Sequence, residues 1–350
     1  MKVLVTGAAG FIGGAVASAL KTAGHEVVGV DAYIPQAHGD TPSVSEDIAR
    51  VDIRDQDAIR GLLRGVDAVA HQSAVVGAGV TPADLPLYAT HNDYGTAVLL
   101  AAMAAADVAN LVLASSMVVY GEGHYACPEH GDRPAKPRRT VDLRNGRFEV
   151  TCPDCAQPMS WRLVDEESPL RPRSAYAASK VAQEHYATAW ARQTSGSVIA
   201  LRYHNVYGPN MPADTPYSGV AALFRSALEN GGPPQVFEDG RQTRDFVHVA
   251  DVAAANVRAV AVVATIDGES NAAYNICSGT PISICEVAEM VAEGTHGMPI
   301  PAVVTGAFRP GDVRHIVASP ERARRELGFD ALMTPAVGLR QFARDPLRRS

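Results

Sequence analysis

The sequence has no run of Lys or Arg longer than two residues, and its 31 basic side chains are outnumbered by 38 acidic ones. A formal charge of −7 without a basic stripe excludes a face built to neutralise a phosphate backbone, so nucleic acid is not an expected partner. No apolar stretch reaches the ~18 residues that a bilayer span requires, so no membrane association is expected. The first twenty residues are apolar, yet their four glycines are spaced as in a strand, turn and helix rather than an export signal. Cysteine is scarce: five residues in 350, an odd number that does not suggest a secreted disulfide framework. Internal repeats and low-complexity tracts are absent. What remains is a globular protein, 47% hydrophobic and 20% charged, expected in the cytoplasm with one large core or two unequal ones.

Apolar runs at Lys2 to Thr6, Glu26 to Val30, Ala68 to His71, Leu111 to Ala114 and Val198 to Arg202 read as buried strands. Between them lie helical patterns, including Phe11 to Ala23, Gly95 to Ala106 and Ala175 to Gln193. This alternation predicts an α/β fold, a doubly wound parallel sheet of Rossmann type. Residues 1–204 are expected to form the dinucleotide-binding domain. Residues 205–350, where the alternation loosens around Gly231-Gly232-Pro233-Pro234, should mainly form a smaller substrate-binding lobe, with 241–265 returning to the first domain. Residues 121–165, rich in Cys, His, Pro and Arg, fit neither pattern and read as an insertion.

Gly7-Ala8-Ala9-Gly10-Phe11-Ile12-Gly13 joins the first strand to the first helix, where backbone N–H groups and the helix dipole can meet a pyrophosphate. A side chain at Gly7 or Gly10 would obstruct that approach. Asp31 closes the second strand eighteen residues after Gly13, placed to accept hydrogen bonds from the adenosine ribose hydroxyls. Its charge would repel a 2′-phosphate, which favours NAD over NADP. The bland alternative is a solvated strand-end charge.

Tyr176-Ala177-Ala178-Ser179-Lys180 puts a phenol and an ammonium on one helix face, where the ammonium favours the phenolate and Tyr176 can serve as a general base near neutral pH. The competing reading is a surface helix with a Lys180–Glu184 pair. Ser116 follows the strand Leu111 to Ala114, at the sheet end where such folds bind ligands, and can hydrogen-bond a substrate oxygen while Tyr176 moves the proton.

Together the glycine turn, Asp31, Ser115-Ser116-Met117-Val118-Val119-Tyr120-Gly121 and the Tyr176/Lys180 pair resemble the extended short-chain dehydrogenase/reductase family over nearly the whole chain. The resemblance implies catalytic roles for Ser116, Tyr176 and Lys180. It extends the NAD site to Asp52, Ile53, Gln72, Ser73, Ala74, Asn92 and Tyr203, with Phe11 and Ile12 in the turn and Lys180 holding the nicotinamide ribose. Asn205, Phe237, Arg244 and Arg309 fall in segments that meet the sugar nucleotide. Guanidinium forks at Arg244 and Arg309 suit paired phosphate oxygens, or alternatively an ion pair between lobes. His204 stands where many relatives have an aromatic apolar residue, and reads as a packed neutral histidine more readily than as a substrate contact.

In this family a 4-epimerase oxidises carbon 4 of a nucleotide sugar and returns the hydride to the other face. Dehydratases carry an Asp-Glu pair after the catalytic hydroxyl, where this chain has Met117 and Val118, neither able to transfer a proton. The loop Val75 to Thr81 offers no cation for a carboxylated sugar. With Asp31 to Gly39, Val236 to Gly240 and the cysteine-bearing insertion, it looks most like the dTDP-L-rhamnose 4-epimerases, which implies a dTDP-6-deoxyhexose. UDP-hexoses or UDP-hexuronates, a net 4-ketoreductase and a non-catalytic NAD-binding scaffold are the alternatives. Members of the family commonly form homodimers through helices such as Gly95 to Ala106 and Ala175 to Gln193.

Cys127-Pro128-Glu129-His130 and Cys152-Pro153-Asp154-Cys155 form two short clips, the donor set of a tetrahedral structural zinc. His124 is the alternative to His130. A Cys152–Cys155 redox pair and four unligated residues on a loop are the other readings.

Overall fold

The computed structural model describes residues 1–39, 44–77, 82–213, 219–295 and 298–348. Ala78 to Thr81 of the loop after Val75 lie outside the described residues.

Strand β1 (Lys2–Thr6) leads through the glycine turn into helix α1 (Phe11–Thr22), and β2 (Glu26–Asp31) and β3 (Ile48–Arg50) follow. Helix α2 (Gln56–Leu62), β4 (Ala68–His71), α3 (Gly95–Ala105) and β5 (Asn110–Ser116) continue the alternation. After the insertion come α4 (Ala175–Thr194) and β9 (Ser197–Tyr203), strands β6 to β8 being those of the insertion. The central sheet has seven strands in the order β13-β9-β5-β4-β1-β2-β3, where β13 is Ser270–Ile276, and every pairing in it is parallel. The change of direction between β1 and β4 puts a crevice at the carboxyl ends of these strands, where doubly wound sheets bind ligands.

Side chains alternate across β1 as the pleat requires. Val3 and Val5 pack with Val16 and Leu20 of α1 on one face; Leu4 packs with Val69, Leu99, Met103 and Trp190 on the other. Leu4 is wholly buried, and its replacement by Ala should cost about 2–5 kcal/mol.

The second lobe carries β10 (Asn205–Tyr207), α5 (Val220–Glu229), β11 (Gln235–Val236), β12 (Thr243–His248), α6 (Val249–Val263), β14 (Pro281–Ser283), α7 (Ile284–Gly294) and α8 (Pro335–Phe342). Its own core joins Tyr207, Phe224, Phe246, Val287 and Phe342. Helix α6 leaves this lobe: Val252, Ala255, Ala259, Val260 and Val263 pack with α1 against the central sheet. The return to the sheet runs beyond 241–265, because β13 is its edge strand, paired along its whole length with β9.

The insertion folds as a three-stranded antiparallel sheet, β7-β6-β8, from His124–Cys127 (β6), Gly131–Arg133 (β7) and Ser160–Arg162 (β8). Its small core consists of Tyr125, Cys127, Ala135, Val150, Cys152 and Met159. No helix among the described residues is long and apolar enough to cross a membrane.

Candidate active site

Gly7 takes φ +68°, and a Cβ there would lie 2.9 Å from the Ser73 nitrogen; one on Gly13 would lie 1.9 Å from the Gly7 carbonyl oxygen. Both glycines are therefore demanded by the turn itself. Gly10 differs: a Cβ would meet only the Gly7 carbonyl, at 3.1 Å, and the residue lines two adjoining cavities. The smaller, about 100 Å³, is walled by Asp31, Asp52, Ile53, Gln72, Ser73 and Ala74 among others. The larger, about 350 Å³, shares Gly7, Gly10, Gln72 and Ala74 and extends past Phe11, Ile12 and Gly13 to Ser116, Tyr176, Tyr203 and Asn205.

Asp31 accepts hydrogen bonds from the Tyr33 and Ala9 backbone at 2.8 and 3.1 Å, and His38 Nε2 lies 3.2 Å from its Oδ1. Burial acts to raise its carboxyl, but His38 and the two N–H groups outweigh it, so the carboxyl is held below its ordinary value and stays ionised. The reading of a solvated strand-end charge is thereby corrected, since Asp31 is buried. An anionic carboxylate beside one cavity and an unobstructed glycine turn leading into the next fit the ribose and pyrophosphate of a dinucleotide.

Ser115 and Ser116 end β5 side by side, but their hydroxyls have different partners. Ser115 donates to Glu184, whose carboxylate also receives Arg202 through Nη2 at 2.8 Å and Nε at 3.0 Å. Ser116 Oγ accepts from the Val118 backbone N–H at 3.4 Å, and its hydroxyl is near enough to Tyr176 to influence the phenol. Lys180 Nζ donates to the Ala114 carbonyl at 2.9 Å and lies 5.9 Å from the Tyr176 ring centroid. The surface-helix reading is overturned: Lys180 and Glu184 are buried, and Glu184 is bound to Arg202.

The expected lowering of the Tyr176 phenol by Lys180 is not present among the protein's own groups. Burial pushes the phenol up to about 12, against the lowering influence of the Ser116 hydroxyl, and pulls the Lys180 ammonium down to about 7 against the pull of Glu184. The ammonium points at a carbonyl rather than at the phenolic oxygen. A cationic cofactor ring, when bound beside Tyr176, would favour the phenolate.

Other expected site residues separate into two groups. Tyr203 joins the wall and donates to Gln72 Oε1 at 3.0 Å, while Asn205 also faces the larger cavity. Asn92 does not line either cavity: its amide clamps Val75 N and O at 2.8 and 2.9 Å and donates to Ser179 at 2.9 Å. Phe237, Arg244 and Arg309 also lie off the larger cavity wall. Arg309 stacks over Phe237 at 5.2 Å, and the Arg244 guanidinium donates to the carbonyls of Thr243, Arg314 and Val313 at 2.9, 2.9 and 2.7 Å. Among the described residues Arg244 makes no ion pair between lobes. His204 is buried, neither ring nitrogen has a partner among the described residues, and burial together with Arg244 pushes it down to about 3. It is a neutral ring that also lines the larger cavity.

Met211, Phe246 and Arg348 line the larger cavity although no sequence motif marked them. Arg348 reaches back from the carboxyl end to the Ala9 and Ala37 carbonyls, at 2.9 and 3.0 Å. A contact spanning almost the whole chain leaves no local signal.

In the insertion, Cys127, His130, Cys152 and Cys155 present ligand atoms all within 4.8 Å of one another. Cys127 Sγ lies 3.6 Å from His130 Nδ1 and from Cys155 Sγ, and Cys152 Sγ lies 3.7 Å from His130 Nδ1. A tetrahedral zinc with ordinary Zn–S and Zn–N bonds requires edges of about 3.8 Å between sulfurs and about 3.5 Å between sulfur and nitrogen. The donor set fits that ion. His124 lies apart, 3.5 Å from Asp132, and is not in the cluster.

The model of the NAD dependent epimerase/dehydratase family matches residues 3–141 and 153–277. The chain is 33% identical to the dTDP-L-rhamnose 4-epimerase of Burkholderia thailandensis, covering 94% of this chain and 90% of that protein. It is 31% identical to the UDP-glucose 4-epimerase of Mycolicibacterium smegmatis, covering 97% and 96%. Among solved structures, Thermus thermophilus UDP-glucose 4-epimerase in complex with NAD superposes with a TM-score of 0.75 at 28% identity, covering 98% of each chain. MoeE5 with UDP-glucuronic acid and NAD also gives 0.75, at 30% identity and 98% and 99% coverage. With the parallel sheet, the glycine turn and the Ser116/Tyr176 end of one cavity already in place, these matches establish that the chain belongs to the NAD-dependent epimerase/dehydratase family.

Proposed function

We propose that this protein is an NAD-dependent nucleotide-sugar 4-epimerase. The observation that carries the reading is one cavity running from the glycine turn to Ser116 and Tyr176. NAD, when bound, supplies the acceptor and later the donor of the hydride from carbon 4. Gly10 leaves room for its pyrophosphate, Asp31 holds its ribose, and Lys180 orients the nicotinamide end. Tyr176 removes the proton of the sugar's 4-hydroxyl and returns it after the 4-keto sugar has presented its opposite face. Ser116 holds the same oxygen throughout. Met117 and Val118 supply no acid or base for eliminating water, so the reaction ends at epimerisation.

The substrate we propose is a dTDP-6-deoxyhexose such as dTDP-L-rhamnose, with Asn205, Phe237, Arg244 and Arg309 on the sugar-nucleotide side. Similarity to the Burkholderia thailandensis enzyme supports it, as do the apolar side chains of Val75, Val76, Met117, Val206 and Phe246 in the wall of the larger cavity, where the Arg348 guanidinium is taken up by the Ala9 and Ala37 carbonyls. A UDP-hexose is the second reading, favoured by the similarity to several UDP-glucose 4-epimerases. The proposal includes one structural zinc on Cys127, His130, Cys152 and Cys155, supported by their spacing, and a homodimer formed through α3 and α4. Metal analysis should find close to one zinc per chain; a content well below that removes the site.

The deciding experiment incubates purified protein, without added NAD or NADH, with dTDP-, UDP- and GDP-sugars and follows the products by proton NMR. An equilibrium mixture of 4-epimers is the expected result. Turnover only of a 4-keto sugar with added NADH would make the protein a reductase instead.

A further inference from the structure

The insertion is bonded inward, onto the two segments that carry Phe237 and Arg309. Arg314 is wholly buried and is held by three carboxylates: Glu149 of the insertion at 2.5 Å, and Glu238 and Asp239 of the second lobe at 2.9 and 2.7 Å. The other oxygen of Glu149 lies 3.1 Å from His315 Nε2. Arg138, also from the insertion, pairs with Glu238 at 2.8 Å and donates to the Asp312 carbonyl at 2.7 Å. Tyr125, in the core of the insertion, accepts from the His315 backbone N–H at 3.0 Å, and Glu122 accepts from that of Arg314 at 3.0 Å. Beyond this network, Val313 and Arg314 give the carbonyls that hold Arg244, and Glu238 N–H donates to the Ala307 carbonyl at 2.7 Å, two residues before Arg309.

We propose that the Cys/His insertion is a positioning module for the nucleotide-diphosphate side of the site, acting through Glu149 and Arg138 on the Phe237–Asp239 and Arg309–His315 segments. This rests on the zinc and sugar-nucleotide readings above. The small core of the insertion includes two of the four ligands, Cys127 and Cys152, so the ion fixes the fold that aims Glu149. Glu149 in turn neutralises part of the buried Arg314 charge, and with that charge misplaced the segment bearing Arg244's carbonyl partners loses its position. The NAD side shares none of these contacts. Metal and binding site are thus linked by a chain of side chains, with the effect confined to one of the two ligands.

The test uses the full chain and reads binding by calorimetry, with dTDP and UDP as probes on NAD-loaded protein, so it does not depend on finding the sugar. Glu149→Gln keeps size and leaves all four zinc ligands. It should raise the dissociation constant for the tighter-binding of the two nucleotides about tenfold, the effect of losing a charged partner, while zinc content and NAD affinity stay at wild-type values. Glu149→Asp, which keeps the charge, should recover most of the affinity. Cys155→Ser, with zinc lost, should reproduce the weaker nucleotide binding with NAD affinity intact. Unchanged nucleotide binding in Glu149→Gln, equal weakening toward NAD, or wild-type protein that binds neither nucleotide would each overturn the proposal. Wild-type protein free of zinc would overturn only the metal reading, because the Glu149 variants report the positioning by themselves. Failure to turn over any sugar would likewise count against the epimerase reading alone.

Discussion

Adjacent on one strand end, Ser115 commits its hydroxyl to Glu184 while the Ser116 hydroxyl faces the cavity beside Tyr176. Ser116→Ala should lower kcat roughly a hundredfold or more with little change in melting temperature, as expected for a donor used only during reaction. Ser115→Ala should do the reverse, costing about 1–3 kcal/mol of stability because a buried carboxylate oxygen loses a donor. Steady-state kinetics beside thermal melts separates the two. The glycines divide in the same way. Gly10→Ala should fold normally and bind NAD more weakly, whereas Gly13→Ala, with its methyl 1.9 Å from a carbonyl oxygen, should fail to fold; fluorescence titration with NAD and circular dichroism read the difference.

His71, clasped between the Thr6 and Thr96 hydroxyls at 2.7 and 3.0 Å, is pushed by burial, with Lys180 adding to it, from 6.5 down to about 3. As pH falls below 6.5 the unfolded chain takes up a proton that the folded ring refuses until about 3. Its contribution is therefore complete above 6.5 and drains away across that window, and His204 acts in the same sense. Asp245, raised by burial from 3.8 to about 6, opposes the trend between those two values. Melting temperature should fall on acidification through this range, and His71→Asn should make the fall shallower. An equally steep fall in the variant would assign the acid sensitivity elsewhere.

Among the elements, the interior strands were legible and the edge was not. Strands β1 and β4 are continuous apolar runs because both faces of a parallel sheet are covered, and their bounds in the structure are those read from the sequence. Strand β13, Ser270–Ile276, begins with Ser and Asn, is half-exposed at its start and lies at the edge of the sheet, so no apolar run marks it. The site followed the same rule. Residues beside a turn or a strand end, such as Gly10, Asp31 and Ser116, fall on the cavity walls, because local geometry and chemistry coincide there. Asn92, whose amide goes to the Val75 backbone, and Arg244, whose guanidinium goes to carbonyls, have partners within the fold that residue type alone does not announce. At this scale the insertion has its own test. Stripping metal should open 121–165 to limited proteolysis while the rest of the chain stays resistant; uniform digestion would mean that the insertion does not depend on the ion.

For the molecule as a whole, the boundary at residue 204 does not mark a separable unit. The central sheet needs β13, and one of its faces needs α6, both of which follow the start of the second lobe. A fragment ending at residue 204 would expose β9 as an unpaired edge and leave Val112, Ile199 and Leu201 short of the cover that α6 gives them, so it should be insoluble or unfolded. A cooperative melt of that fragment with retained NAD binding would contradict this.

The carboxyl end carries the same logic further. Arg348 N–H donates to the Met211 carbonyl at 3.1 Å, Ala213 N–H donates to the Arg348 carbonyl at 2.9 Å, and the Arg348 side chain reaches Ala9 in the glycine turn. The glycine turn is thus closed by a residue 339 positions further along the chain. Synthesis runs from the amino end, so a nascent chain holds this side of its cofactor crevice open until Arg348 has been made, and loading of the crevice waits for that residue rather than for folding of the first domain.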